Sequence, residues 1–392
     1  MSSKPPTKLG LIVNPVAGVG GRVGLKGSDG RDILVRALEL GAQRESPRRA
    51  EAALLRLRRL RDTTVVLAYP GEMGADEARA AGLAVEELEP SAHHGLIQAG
   101  GQSFTATTAE DTEEAARRMV EAGAELILFA GGDGTARNIY NAVGDRVAVV
   151  GIPAGVKIHS AVYANTPANA GDLAALYLAG SGGFKVREAE VMDIDEDAFR
   201  HDRVAARLYG FLRVPYERQL IQSAKAGSQP SDEALAIGIG NDVVHAMRPD
   251  VLYLIGAGTT TRAIMRLLDL PHTLLGIDAV RDRKLVATDI TEVQALELVE
   301  RAAAGGAGAY IVVSVIGGQG HIFGRGNQQL SPRVIRAVGK DNITVLATQP
   351  KLLSLEGAPL RLDTGDEDLD RELAGWTKVV SGHGRRTMYR VE

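Results

Sequence analysis

Short, wholly apolar runs alternate with longer amphipathic runs through the first half of the chain. The short runs are rich in Val, Ile and Leu and lack polar alternation, which is typical of strands buried on both faces of a parallel sheet; they read KLGLIVN, TTVVLAY, AELILFA and RVAVVGI. Between them, DILVRALELG and TAEDTEEAARRMVEAG place apolar residues at helical spacing. The alternation predicts a doubly wound α/β domain.

The second half repeats this alternation. Its strand-like and helical runs are DVLYLIG, AGTTTRAIMRLLDL, HTLLGIDAV, TEVQALELVERAAAG, AYIVVSVIG and NITVLAT, and they predict a second α/β domain. The pattern loosens over residues 159–190, and AGSQPSD at 226–232 has the composition of a linker or surface loop. We therefore expect two domains, at residues 1–165 and 166–392.

Composition and charge exclude several classes of protein. The chain of 392 residues is 45% hydrophobic, which is ample for two cores, and carries a net charge of −4, so no global positive field attracts nucleic acid. It has no cysteine, which excludes disulfides, thiolate metal sites and a cysteine nucleophile. No apolar segment is long enough for a signal sequence or a membrane span, so we expect a soluble, cytoplasmic protein. The sequence is compatible with a homo-oligomer.

The loop FAGGDGTAR at 129–137 follows a buried strand and precedes a helix. Backbone N–H groups at a helix start bind phosphate oxygens, and glycines let a polyphosphate approach the backbone. A carboxylate here suits phosphoryl transfer, because it either binds Mg²⁺ or takes a proton from the attacking hydroxyl. The alternative is an aspartate that only caps the helix. The candidate residues are Gly131, Gly132, Asp133, Gly134 and Thr135.

Two further loops follow buried strands of the first half. NPVAGVGGRVG supplies Asn14, Pro15 and Gly18 as a second phosphate-binding turn. IPAGVKIHS supplies Lys157, which could neutralise a phosphate, and His159, which could donate a hydrogen bond or a proton. The alternative for this third loop is a surface lysine beside a packed histidine.

The pairing of NPVAG with GGDGTARNIYNAV, about a hundred residues later, resembles the NAD kinase and diacylglycerol kinase superfamily. IPAGVKIHS, GAGTTTRAI and GRGNQQLSP narrow the likeness to the predicted polyphosphate- or ATP-dependent NAD kinases that include the acetoin catabolism X proteins. The resemblance implies a nucleotide phosphate donor at the GGDGT loop, Asp133 as base for the acceptor hydroxyl, and Asn14 near the phosphates. Typical NAD kinases carry an Asn-Glu pair for the dinucleotide. The nearest dipeptide here, Asn241-Asp242, lies in a predicted helix, and we do not transfer that role to it.

The second half contains two more candidate anion loops. LIGAGTTTRAIM repeats the arrangement of strand, glycine turn and helix, and its hydroxyls and guanidinium are donors suited to phosphate or carboxylate; its candidate residues are Gly258, Thr259, Thr260, Thr261 and Arg262. VIGGQGHIFGRGNQQLSP concentrates planar hydrogen-bonding groups on a glycine-rich backbone, at Gln319, Arg325 and Asn327. Either loop could instead be structural, as a capped helix or a folded turn.

These observations predict a kinase whose active site lies in the cleft between the two domains. The first domain is expected to bind ATP or polyphosphate with Mg²⁺, and the second to bind the acceptor. The expected reaction is phosphoryl transfer to the 2′-hydroxyl of NAD, with Asp133 as general base or Mg²⁺ anchor. The alternatives are a kinase of another small-molecule or lipid hydroxyl, and a nucleotide-binding regulator without turnover.

Overall fold

The structure is a computed structural model, and it describes residues 5–25, 31–91, 96–99, 101–105, 107–156, 158–180, 184–194, 206–217, 219–222 and 230–392. The described chain forms two compact units. The first contains residues 5–19 and the described residues from 31 to 222, and the second contains residues 20–25 and 230–392. The short segment 20–25 belongs to the second unit, where the backbone N–H of Glu292 donates to the carbonyl of Arg22.

The first unit is built on a parallel sheet. Its strands are β1 (Thr7–Val13), β2 (Thr64–Ala68), β3 (Ala84–Glu87), β4 (Leu96–Ala99), β5 (Gln102–Thr105), β6 (Leu126–Gly131), β7 (Ala148–Pro153), β8 (Val186–Ile194) and β9 (Ala206–Pro215). Its helices are α1 (Arg31–Glu39), α2 (Ser46–Leu55), α3 (Ala75–Ala80), α4 (Ala109–Glu121), α5 (Asp133–Val143) and α6 (Pro167–Leu178), with short 3₁₀ turns at Arg58–Leu60 and Gly71–Met73.

The parallel sheet has the strand order β3-β2-β1-β6-β7. Strands β6 and β7 are buried along their whole length, as the unbroken apolar runs predict for a sheet covered on both faces. The chain winds outward from β1 in one direction and then returns to start β6 on the other side. The loops after β1 and β6 therefore leave the sheet at its topological switch point, where open α/β sheets form their ligand crevices.

Strands β8 and β9 form an antiparallel hairpin that packs on α5 and β7 of the first unit. Tyr209 of β9 meets Tyr140 of α5 edge to face, with ring centroids 5.6 Å apart. The first unit therefore continues well past residue 165, where the sequence analysis placed the domain boundary, because this hairpin buries its apolar face on the first core.

The second unit has a seven-stranded mixed sheet of order β12-β11-β10-β13-β14-β15-β16. Its strands are β10 (Leu252–Ile255), β11 (Asp278–Arg281), β12 (Lys284–Ala287), β13 (Ala309–Ser314), β14 (Ile343–Leu346), β15 (Gly375–Gly382) and β16 (Arg385–Val391). Its helices are α7 (Pro230–Ala246), α8 (Thr259–Leu267), α9 (Glu292–Ala304), α10 (Pro332–Val338), α11 (Gln349–Leu353) and α12 (Glu367–Leu373), with a 3₁₀ turn at Lys340–Asn342.

Alternate residues of the second sheet belong to two separate cores. Leu254 and Val313 pack with α9 and α10 on one face, whereas Ile255 and Val312 pack with α7 and α8 on the other. The helix that follows β10 and the helix that follows β13 thus cover opposite faces, which places a second switch point between these neighbouring strands. Two α/β units are present, as the sequence predicted. Within the described residues, no helix is long and apolar enough to cross a membrane.

Candidate active site

Three glycine loops meet at the carboxyl edge of the first sheet, after β1, β6 and β7. Gly18 has a φ of +77°, and a Cβ there would overlap the carbonyl oxygen of Ala154. A Cβ on Gly155 would lie 2.7 Å from the Cα of Gly132, so these two loops touch backbone to backbone. Only glycine allows this approach. The loops therefore present peptide groups in place of side chains, as a phosphate-binding surface requires.

Backbone hydrogen bonds hold the three loops together. The N–H of Asn14 donates to Ala130 O at 3.0 Å, and the N–H groups of Ala154 and Gly155 both donate to Gly131 O, at 3.0 and 2.9 Å. The Asn14 side chain adds a link between the loops, because its Nδ2 donates to Thr135 Oγ1 at 3.3 Å. Its Oδ1 accepts from the backbone N–H of Val16 at 3.2 Å. Asn14 thus ties the first loop to the start of α5. The buried ring of Pro15 follows it.

Helix α5 begins at Asp133, and its N-cap residue is Gly132, which forms no side-chain cap. The Asp133 carboxylate, 7% exposed, bonds the third loop instead of capping the helix. Its Oδ1 accepts from Ser160 N at 3.0 Å and Ser160 Oγ at 2.6 Å. Its Oδ2 accepts from His159 N at 2.8 Å and contacts His159 Nδ1 at 3.3 Å. The helix-capping alternative does not describe this aspartate.

The donor set around Asp133 does not fit a directly bound Mg²⁺. A carboxylate offers about four lone-pair positions; three protein donors occupy three of them here, and His159 Nδ1 lies 3.3 Å from Oδ2. Among the residues that the structure describes, no group of three or more His, Cys, Asp or Glu side chains could hold a metal ion. Lys157, the cation expected beside His159, lies outside the described residues.

The threonine loop of the second unit forms the start of α8, as the sequence predicted. Gly258 is the N-cap at φ +124°, and no side chain caps the helix. The two buried hydroxyls are engaged within the protein: Thr261 Oγ1 donates to Gly258 O at 2.9 Å, and Thr260 Oγ1 accepts from Lys351 Nζ at 2.8 Å. Thr259 and Arg262 are exposed at the helix start. The loop therefore combines an uncapped helix N-terminus with a lysine from α11.

In the glycine-rich loop after β13, VIGGQGHIFGRGNQQLSP, two of the three candidate side chains bond to residues of their own unit. Gln319, Arg325 and Asn327 are all buried. Arg325 Nε forms a buried ion pair with Asp363, at 3.0 Å. Asn327 accepts from Gly324 N at 3.0 Å and donates to Ile322 O at 2.9 Å, bonds that fold the loop on itself.

The dipeptide Asn241-Asp242 lies in α7, as expected. Asp242 Oδ2 accepts from Arg386 Nη1 at 2.7 Å and from the backbone N–H of Gly384 at 2.9 Å, so it holds the turn between β15 and β16.

Similarity to known domain families covers most of the chain. Residues 9–181 match the ATP-NAD kinase N-terminal domain, and residues 248–391 match the ATP-NAD kinase C-terminal domain. The chain belongs to the ATP-NAD kinase family. The resemblance seen in the sequence is therefore confirmed at the level of the NAD kinase and diacylglycerol kinase superfamily. The chain contains both the N-terminal and the C-terminal domain of this family.

Two solved structures from Bacillus anthracis str. Sterne also match this chain. One is described as a diacylglycerol kinase and the other was assigned that activity provisionally. Each has 17% sequence identity and a TM-score of 0.20, and each match covers 33% of this chain. The chain spans less than half of either structure: 46% of the one described as a diacylglycerol kinase and 42% of the other. No curated protein matches the chain at a significant level.

Several contacts at this candidate site come from residues that the sequence did not indicate. Gln222 Nε2 donates to Ser160 O at 2.6 Å, and the Tyr163 hydroxyl donates to Gly132 O. Arg49 Nη1 reaches Pro153 O at 3.0 Å. The glycine at position 151 could have indicated the position of Tyr163, because a Cβ on Gly151 would overlap the tyrosine ring. No feature of the sequence indicates the contact of Gln222, because its partner, Ser160, lies 62 residues away in the chain.

Proposed function

We propose that this protein is a kinase that transfers the terminal phosphoryl group of ATP, or of polyphosphate, to the 2′-hydroxyl of NAD. Family membership supports the reaction class. The observation that carries the proposal is the joining of three glycine loops beside the uncapped start of α5, with a buried carboxylate and imidazole in the same place. Phosphoryl transfer needs this combination of phosphate-binding backbone and a proton acceptor.

Each loop then has a defined part in the reaction. The backbone N–H groups at the uncapped start of α5 bind the donor phosphates, because the glycines at 18, 132 and 155 leave no side chains to keep the phosphates away. Asn14 fixes the first loop against α5. The pair formed by Asp133 and His159 receives the proton of the acceptor hydroxyl. We also assign Lys157 to charge neutralisation of the phosphates, on its sequence position alone.

The second unit offers an anion site of its own. The uncapped start of α8, the exposed Thr259 and Arg262, and the ammonium of Lys351 suit an anionic part of the acceptor. Arg325 and Asn327 hold their loop in place through bonds within the second unit, and we propose that the loop binds the acceptor through its backbone and Gln319.

The test is NADP formation by the purified full-length chain, with MgATP or polyphosphate as donor and NAD as acceptor. Turnover that depends on both substrates supports the proposal. Donor consumption without NADP, on a panel of sugars, polyols and lipid headgroups, would identify a kinase of another hydroxyl. Tight nucleotide binding with no turnover on any acceptor would indicate a regulator and would overturn the kinase assignment.

A further inference from the structure

Gln222 is a buried glutamine, 2% exposed, that uses only half of its side-chain amide. Its Nε2 donates to the carbonyl oxygen of Ser160 at 2.6 Å, whereas its Oε1 is enclosed and has no hydrogen-bond partner among the described residues. The gain from one buried hydrogen bond is offset by the cost of a buried acceptor left without a donor. The amide therefore adds little net stability to the fold, and its use lies in the group that it binds.

The carbonyl that Gln222 binds belongs to a residue of the loop after β7 that also contacts Asp133. The backbone N–H of Ser160 donates to Asp133 Oδ1 at 3.0 Å, and the backbone N–H of His159 donates to Oδ2 at 2.8 Å. Residue 160 is thus bonded to the carboxylate through its N–H and to Gln222 through its carbonyl. The amide of Gln222 therefore helps to fix where these two peptide N–H groups stand relative to the carboxylate.

Gln222 is held by its own backbone, so a change of its side chain leaves the chain in place. Its N–H donates to the carbonyl of Tyr163 at 3.0 Å, and its carbonyl accepts from Arg187 Nη2 at 3.3 Å. Both bonds survive any substitution at position 222 except proline. The side chain can therefore be tested apart from the segment that presents it.

Resting on the proposed kinase function, we infer that Gln222 is a positioning residue of the active site. It holds the loop after β7 so that the N–H groups of His159 and Ser160 meet the Asp133 carboxylate. When the amide is removed, the Ser160 carbonyl loses its side-chain donor and the loop loses a constraint. The carboxylate then loses its fixed place, and a misplacement of about 1 Å at a catalytic group costs roughly 10²-fold in rate.

The first experiment measures amide hydrogen exchange and needs no substrate. Gln222→Met keeps the length of the side chain and removes its N–H donor, and Gln219→Met is the matched control, because the Gln219 side chain is exposed. Exchange at residues 159 and 160 should be about tenfold faster in Gln222→Met and unchanged in the control, with α4 at the wild-type rate in both. Wild-type exchange at residues 159 and 160 in Gln222→Met overturns the inference. An equal acceleration across the first unit also overturns it, because that result is a general loss of stability.

The second experiment measures NADP formation, with kcat taken per folded protein. We expect Gln222→Met to lower kcat roughly 10- to 100-fold and to leave the KM values of MgATP and NAD within about threefold of the wild-type values. Gln222→Leu, which also lacks the donor, takes its place in both experiments if the methionine variant does not fold, and the same results are expected. A wild-type kcat, or a raised KM with an unchanged kcat, overturns the inference.

Failure of the proposed function has a different signature. If the wild-type protein forms no NADP, the acceptor assignment is lost, whereas hydrogen exchange in the same variants still decides whether Gln222 holds the loop. If the wild type forms NADP and Gln222→Met does so with the wild-type kcat, the kinase function stands and the inference alone is wrong.

Discussion

Replacing Asp133 by asparagine tests the carboxylate with the least change in shape. Oδ1 of the carboxylate accepts from the backbone N–H and the hydroxyl of Ser160, and Oδ2 accepts from the backbone N–H of His159 and lies 3.3 Å from its Nδ1. An amide keeps one accepting oxygen and turns an NH₂ group toward the other pair. In either orientation a buried backbone N–H, of residue 159 or 160, then faces another donor. The variant therefore loses at least one charge-assisted hydrogen bond and leaves its donor without an acceptor.

The magnitude follows from that unmatched donor. A buried donor left without its charged partner costs about 1–3 kcal/mol, which for a unit of this size lowers Tm by roughly 3–10 °C. The loss of the anion that orients His159 should lower kcat by about 10²- to 10⁴-fold. An aspartate that only capped α5 would behave differently, because asparagine caps a helix about as well.

The assay is urea unfolding together with kcat for NADP formation. Asp145→Asn is the matched control, because Asp145 is an exposed aspartate of the same unit and its conversion should change neither quantity. An Asp133→Asn protein with the wild-type unfolding midpoint would refute the hydrogen-bond argument. A destabilised variant with near-normal kcat would leave Asp133 a structural residue and would refute its part in the chemistry.

Three other variants should give defined results. Gly155→Ala places a Cβ 2.7 Å from the Cα of Gly132 and should raise the KM of ATP about tenfold or more. Gly308→Ala, in the second unit, places a Cβ with nothing within 4 Å and should be tolerated; equal effects would exclude close packing of the two loop backbones as the basis of ATP binding. Arg262→Ala should raise the KM of the acceptor far more than that of ATP, with about 1.5–3 kcal/mol at stake, and equal weakening of both would contradict the assignment. Burial, with acidic neighbours, raises the pKa of Glu77 to about 7. The free energy of unfolding that depends on a protonated Glu77 is fully present below about pH 4.5 and is lost as the pH rises to about 7. Urea unfolding should therefore show Glu77→Gln more stable than wild type at pH 8, by roughly 3 kcal/mol, and no less stable at pH 4. The same pH dependence of stability in the variant and the wild type would contradict this prediction.

Local patterns in the sequence were sufficient for the elements that hold the site. The strands before the glycine loops are unbroken apolar runs, and the glycines mark the close approach of peptide groups, as at Gly18 and Gly155. Both signals depend on residues adjacent in the chain, so a single sequence contains them. The same reasoning predicted a helix after each loop, and α8 begins at Thr259 as expected. Helix α5 begins at Asp133, two residues before the start near Thr135 that the sequence indicated.

The remaining contacts depend on residues far apart in the chain. Gln222 reaches Ser160 across 62 positions, and Lys351 reaches Thr260 across 91. Pairings of this kind are set by strand order and helix packing, which one sequence does not reveal. Asn327 shows a second limit: polar residues in a glycine-rich loop look the same whether they bind a ligand or fold the loop, and here the bonds are internal.

A carboxylate beside a phosphate-binding backbone raises an electrostatic problem, because an exposed anion there would repel the ligand. In many phosphoryl-transfer sites a metal ion resolves it. Here three protein donors bond the Asp133 carboxylate and compensate its charge within the protein. The N–H groups at the start of α5 receive no side-chain cap and stay available to an incoming phosphate. Asp133 begins the helix but directs its carboxylate away from it, to the third loop. The proposed phosphate site at the helix start is thereby kept apart from the negative charge of the residue that begins the helix.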